Sequence, residues 1–208
     1  MTDYSDFTAA LKDWANRQDW SDVLVASFVR GAEEKLNSDL RIAWMIQFDE
    51  AMITSRCAPL PDDWLEMEMV RIANNSGADG FLPIRYKARD EFFNLTDPHS
   101  YGYYTIEGRE IFFGGAPDAT EGVTFRIAYY AEVPVFSDDV DSWVYTKFSS
   151  LYRYAALTHS DLYAVGEEEK AMGLNTLVDS MIKKLNDAHL LSKASGSRIT
   201  RTRTRSFG

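Results

Sequence analysis

The chain has 208 residues and a mass of 23.7 kDa, with 45% hydrophobic and 26% charged residues, a balance that excludes disordered and fibrous classes. No apolar run approaches the ~18 residues of a membrane span, so a transmembrane helix is not expected. The net charge of −10 divides unevenly: residues 1–192 hold 17 basic against 32 acidic groups, near −15, whereas residues 193–208 hold five basic groups and no acid. So acidic a body will not grip a polyanion over its average surface.

Taken in order, the sequence opens on two helices. Tyr4, Phe7, Leu11 and Trp14 recur at helical spacing. Ser21 suits an N-cap before a second stripe of Val25, Val29, Ala32 and Leu36. Residues 40–60 are ambiguous: Leu40–Phe48 contains helix formers, Met52–Arg56 reads equally as strand, and Pro59 and Pro61 then punctuate the chain. The middle reads as β. Leu65, Met67 and Met69 alternate with Glu66 and Glu68, a short strand follows at Phe81–Tyr86, and a short helix at Ala88–Leu95. Tyr103–Glu107 and Arg109–Phe113 flank Gly108 as a hairpin, and Val123–Tyr130 alternates most clearly of all. The end is helical again. Val144, Phe148, Leu151, Ala155 and Leu162 share one face, and Glu167–Glu169 suit the first turn of a helix buried through Leu174, Leu177, Val178, Met181, Leu185 and Ala188.

This order predicts an α+β chain: a helical bundle formed by N- and C-terminal helices, with an inserted antiparallel β lobe and an extended C-terminal tail. The expected divisions are 1–58 (N-terminal helical part), 59–136 (β lobe), 137–192 (C-terminal helices completing the bundle) and 193–208 (extended basic tail).

Candidate chemistry is sparse. His99, His159 and His189 lie far apart with no H-E-x-x-H, and the single Cys57 permits neither an internal disulfide nor a cysteine-based zinc cluster. No nucleophile elbow, Walker motif or dinucleotide fingerprint occurs. Glu66 and Glu68 could pair as glycosidase carboxylates, but acids on a strand usually mark its wet face. Asp138, Asp139 and Asp141 lack a calcium-loop frame and are better read as capping a helix near Ser142. Tyr101, Tyr103, Tyr104, Tyr129 and Tyr130 have too few cations among them to stack nucleic acid, so sheet or subunit packing is the better reading. No catalytic residue, metal or cofactor is expected. The acidic, polar start is unlike a secretory leader, so synthesis in the cytoplasm is expected.

The tail is the most informative stretch. Arg198, Ile199, Arg201, Arg203, Arg205 and Phe207 alternate with threonines and serine, giving low helix propensity and high β compatibility. Either it is a solvated tail or it adds as a strand to another chain, its arginines pairing with acids or phosphates.

Tyr4, Phe7, Leu11, Trp14–Arg17 and Asp19 resemble the opening of the tailed-bacteriophage head-to-tail adaptor (connector) proteins. Phe28, Ala32, Glu33, Leu36, Asn37 and Asp39–Arg41 look like that family's second motif, and Leu60, Pro61, Asp63–Glu66 like its entry into the β segment. Tyr104, Ile106, Gly108, Ile111 and Pro117, then Ile127, Tyr129, Tyr130 and Pro134, resemble its hairpin and long strand. Where the family often has a more basic second helix, this chain has Glu33, Glu34 and Lys35. The resemblance implies a non-enzymatic ring, commonly of twelve subunits, docked on the portal in the virion neck. It also implies tail or nozzle proteins as partners and double-stranded DNA passing without sequence-specific contact. Portal docking would fall to Arg198, Ile199, Arg201, Arg203, Arg205 and Phe207. Composition leaves two other readings: an acidic DNA mimic of a phage, and a carboxylate hydrolase using Glu66 or Glu68.

Overall fold

The computed structural model describes residues 4–73, 80–94, 102–115, 122–160 and 168–205. The chain divides into two compact units, Met1–Ala43 with Val133–Gly208, and Trp44–Glu132.

The first unit is helical. Helix α1 (Tyr4–Ala15) buries Phe7 and Leu11, the inner positions of its stripe. Helix α2 (Asp22–Asp39) starts where Ser21 accepts a hydrogen bond from the Leu24 amide through Oγ at 3.3 Å, satisfying one orphan donor of the first turn. Its buried face, Val25, Phe28, Val29, Ala32 and Leu36, faces α5 (Ser149–Ser160), and α5 faces α6 (Glu168–Arg205). The single helix expected near Ser142 is two: α4 (Trp143–Lys147) ends at Phe148, whose φ of −133° and ψ of 49° leave helical geometry, and α5 restarts at once. Leu162 and Glu167 lie outside the described residues.

The second unit is a seven-stranded sheet with one short helix, α3 (Arg89–Phe93). Its strands are β1 (Ile46–Ile53), β2 (Cys57–Pro59), β3 (Trp64–Ala73), β4 (Phe81–Tyr86), β5 (Tyr103–Glu107), β6 (Glu110–Phe113) and β7 (Val123–Ala131). Their spatial order is β1-β7-β3-β4-β5-β6-β2, nearly a closed barrel, with no ladder joining β1 to β2 among the described residues. The β5–β6 hairpin turns at Gly108, whose φ of 62° is costly for any residue with a Cβ. Val70, Ile72, Ile111, Phe113, Phe125 and Ile127 centre its core.

These features correct the expected architecture. The chain is α+β, but not a helical bundle with an antiparallel β lobe and an extended tail. The sheet is a compact unit with its own core, it begins at Ile46, upstream of Pro59, and it is mixed, because β4 and β5 pair in parallel. The expected extended segment is helix: α6 runs 38 residues, to Arg205. Extending an existing helix adds one hydrogen bond per residue fixed, and arginine is a good helix former, so propagation outweighs the β preference of threonine.

Candidate functional site

Arg198, Ile199, Arg201, Arg203 and Arg205 all fall on the last turns of α6, while Phe207 lies outside the described residues. α6 is anchored further back. Val178 and Ile182 are buried, and the Lys35 ammonium meets the Asp179 carboxylate at 2.8 Å. The Asn186 amide joins α6 to the end of α2: Nδ2 donates to the Asp39 carbonyl at 2.8 Å and Oδ1 accepts from the Arg41 amide at 2.8 Å. One side chain thereby serves two backbone groups where helix ends leave carbonyls unpaired. Past this point the helix changes character. Leu190 and Leu191 are 60% and 70% exposed, and Ser192, Lys193 and Ala194 are exposed as well. A helix of this length spans about 57 Å, so its basic end stands several turns beyond the Asn186 anchor.

The other sequence candidates are not drawn together. Glu66 and Glu68 are both exposed on β3, whose pairing to β7 shifts register between Trp64 and Glu66 and again between Met67 and Met69. Tyr104, Tyr129 and Tyr130 are buried in the sheet and Tyr101 is outside the described residues. Tyr129 Oη donates to Asp63 at 3.0 Å; burial, then this carboxylate, pushes its pKa up to about 12. The aspartates near residue 140 do not cap a helix: Ser142 does, its Oγ accepting from the Tyr145 amide at 3.2 Å. Its hydroxyl fits within a buried corner where the exposed aspartates would carry charge. His159 stacks its ring on Gly31 and burial lowers its pKa, His189 lies on α6, and His99 is outside the described residues. Cys57 is half-buried in β2. No group of three or more potential metal ligands occurs among the described residues.

Two features escaped the sequence reading. Glu33, set between the apolar positions of α2, is only 4% exposed. Its Oε1 accepts from the Phe136 amide and from Tyr152 Oη, each at 2.7 Å, amid the rings of Tyr4, Phe7, Phe136, Tyr145 and Tyr152. Desolvation raises the pKa of this carboxyl, and the two donors oppose the rise. The available signal was position: Glu33 follows Val29 by four residues and precedes Leu36 by three, inside the buried stripe. The second feature is β1. Every residue from Gln47 to Met52 is exposed, with Phe48 at 76% and Met52 at 67%. A strand exposed on both faces shows no alternation of hydropathy, so periodicity could not find it.

The described surface therefore offers a projecting basic helix and an uncovered apolar strand, both suited to binding other macromolecules. Against models of protein families, the chain matches the SU10 adaptor protein over residues 2–204. It belongs to that family of phage head-to-tail adaptors, which makes it a phage adaptor protein of the virion neck with portal and tail proteins as partners. No curated protein matches the chain. Among the described residues, no helix is long and apolar enough to cross a membrane.

Proposed function

We propose that copies of this chain assemble into a ring, of twelve subunits in the family's common pattern, which docks on the portal. In that position the ring extends the DNA channel and offers a platform to the next tail or nozzle protein. The work is structural: it needs no catalytic residue or cofactor. The observation that carries the reading is α6, which combines an anchored first half with a basic, acid-free end in a chain matched to the adaptor family almost throughout.

In this reading Arg198, Ile199, Arg201, Arg203, Arg205 and Phe207 bind the portal. Positions 198, 201 and 205 recur at i, i+3 and i+7, a helical spacing that groups three guanidinium-bearing residues. Cations are also favoured at a helix C-terminus by the macrodipole, so the end is suited to an acidic groove. The acidic remainder, near −15 over residues 1–192, suits a passage that must let DNA slide past without holding its phosphates.

Ending the chain after Ser195 tests this reading. The truncated protein should keep its melting behaviour and lose only the helical circular dichroism signal of residues 196–205, because the α6 anchors at Val178, Ile182 and Asn186 remain. Binding to purified portal rings should be lost. Undiminished portal binding by the folded, truncated chain would overturn the role given to α6.

A further inference from the structure

We infer that neighbouring copies meet front to back across the sheet unit, with β1 of one copy laid on the outer β3–β7 face of the next and Asp49 of the first paired to Arg71 of the second. The inference rests on the ring reading above and names the surfaces that close it.

The first observation is the state of β1. It hydrogen-bonds β7 on one side and has no strand on the other among the described residues. Six consecutive residues are exposed on both faces, including Phe48 and Met52. A long apolar edge strand is a standing hazard for aggregation, and proteins blunt it or cover it. The opposite edge is blunted: β2 has three residues and ends at Pro59, which lacks an amide donor. β1 is eight residues long and holds no proline; what blunts it is charge, at Asp49 and Glu50.

The second observation concerns charge. Residues paired across an antiparallel ladder share a face. Asp49 pairs with Ile127 and so takes the core-facing side, at a point where β1 is exposed. Arg71 and Arg126 pair directly across β3 and β7 on the outer side, joined there by Glu50 and Phe81. Two arginines placed opposite one another repel unless neutralised. Glu50 binds Arg126, whose guanidinium also lies 4.0 Å from the Phe81 ring centroid. Arg71 receives no such partner: among the described residues its contact is Nε to the Met69 sulfur at 3.1 Å. Among the same residues Asp49 accepts only from its neighbour, the Glu50 amide, at 2.8 Å. The described sheet thus holds a carboxylate without a cation on one face and a guanidinium without a carboxylate on the other.

Opposite faces keep this pair apart within one molecule and let it meet between two. That is the mark of a head-to-tail contact, which closes into a ring when its rotation permits. A two-fold contact of β1 with β1 would instead set Asp49 and Glu50 against their own copies. The outer face is rich in arginine, methionine and aromatic groups (Arg71, Arg126, Met69, Phe81), the composition of a buried interface centre. Phe48 and Met52, paired with Ala128 and Thr124, add apolar surface to this same outer face.

Charge reversal tests the pairing. Asp49→Arg and Arg71→Asp should each weaken self-assembly at least about tenfold, as removal of a desolvated charge partner does. Mixed in equal amounts, the two variants should co-assemble, because alternating them around the ring joins an arginine to an aspartate at every contact. The readout is native mass spectrometry and light scattering over a concentration series, with and without portal, after circular dichroism has shown native spectra. Should a reversal fail to fold, the neutral pair Asp49→Asn and Arg71→Gln replaces it, the double variant then assembling no worse than either single one. Variants that assemble like the wild-type chain, or mixtures no better than their components, would overturn the pairing and leave the ring reading intact. A wild-type chain that stays monomeric throughout, portal included, would overturn both.

Discussion

Replacing Gly31 by alanine should destabilise the helical unit although alanine is the better helix former. An added Cβ would lie 2.6 Å from both Cγ and Nδ1 of His159 and 2.8 Å from its Cε1, far inside van der Waals contact. The ring cannot swing clear cheaply, since Cγ lies next to the main chain and Nε2 is buried, with no hydrogen-bond partner among the described residues. Alanine would contribute about 1 kcal/mol of helix propensity. Overpacking costs roughly 1–3 kcal/mol, and contact with a fixed ring atom belongs at or beyond the upper end. The expected net loss is about 1–2 kcal/mol, or roughly 2–8 °C in melting temperature for a chain of this size. Urea denaturation followed by far-ultraviolet circular dichroism measures it. The double variant Gly31→Ala with His159→Ala should recover stability relative to Gly31→Ala alone, because the obstructing ring is gone. A Gly31→Ala protein as stable as wild type, or more so, would refute the steric account of the α2–α5 approach.

Other expectations concern the buried polar groups. Glu33→Ala strands the Phe136 amide and Tyr152 hydroxyl and should cost about 2–6 kcal/mol, at roughly 1–3 kcal/mol for each unsatisfied group, in the same urea titration. Because burial raises the Glu33 pKa, the folded state binds the extra proton, so stability should fall as pH rises from the ordinary glutamate value through the raised one; a stability–pH series on Glu33→Gln should lack this slope. Tyr129 carries the same sign at the alkaline end: its contribution should be complete below pH ~10 and be lost as pH rises towards about 12, and Tyr129→Phe should remove that loss at a cost of about 1 kcal/mol at neutral pH.

Local patterning reveals an element when its own residues carry the burial signal. That holds for α1 and α2, for the β5–β6 hairpin at Gly108 and for β7, whose core-facing positions Val123, Phe125, Ile127 and Tyr129 are buried. Ser21 was legible as a cap because the cap interaction reaches only three residues along the chain. The order of the adaptor motifs was equally legible, since each is a short run of residues.

Sequence alone therefore settled α1, α2, the β5–β6 hairpin, β7 and the family, and marked the basic end as the stretch most suited to another molecule. Only the tertiary structure decided that β1 exists, since its single-sided ladder to β7 joins residues far apart in sequence and buries almost none of its side chains. It also decided the parallel meeting of β4 with β5, the enclosure of Glu33 among rings from three segments, and the helical state of residues 193–205. The physical reason is common to all four. Hydropathy reports what each residue prefers, whereas pairing, enclosure and helix propagation depend on which distant or adjoining segments already stand in place.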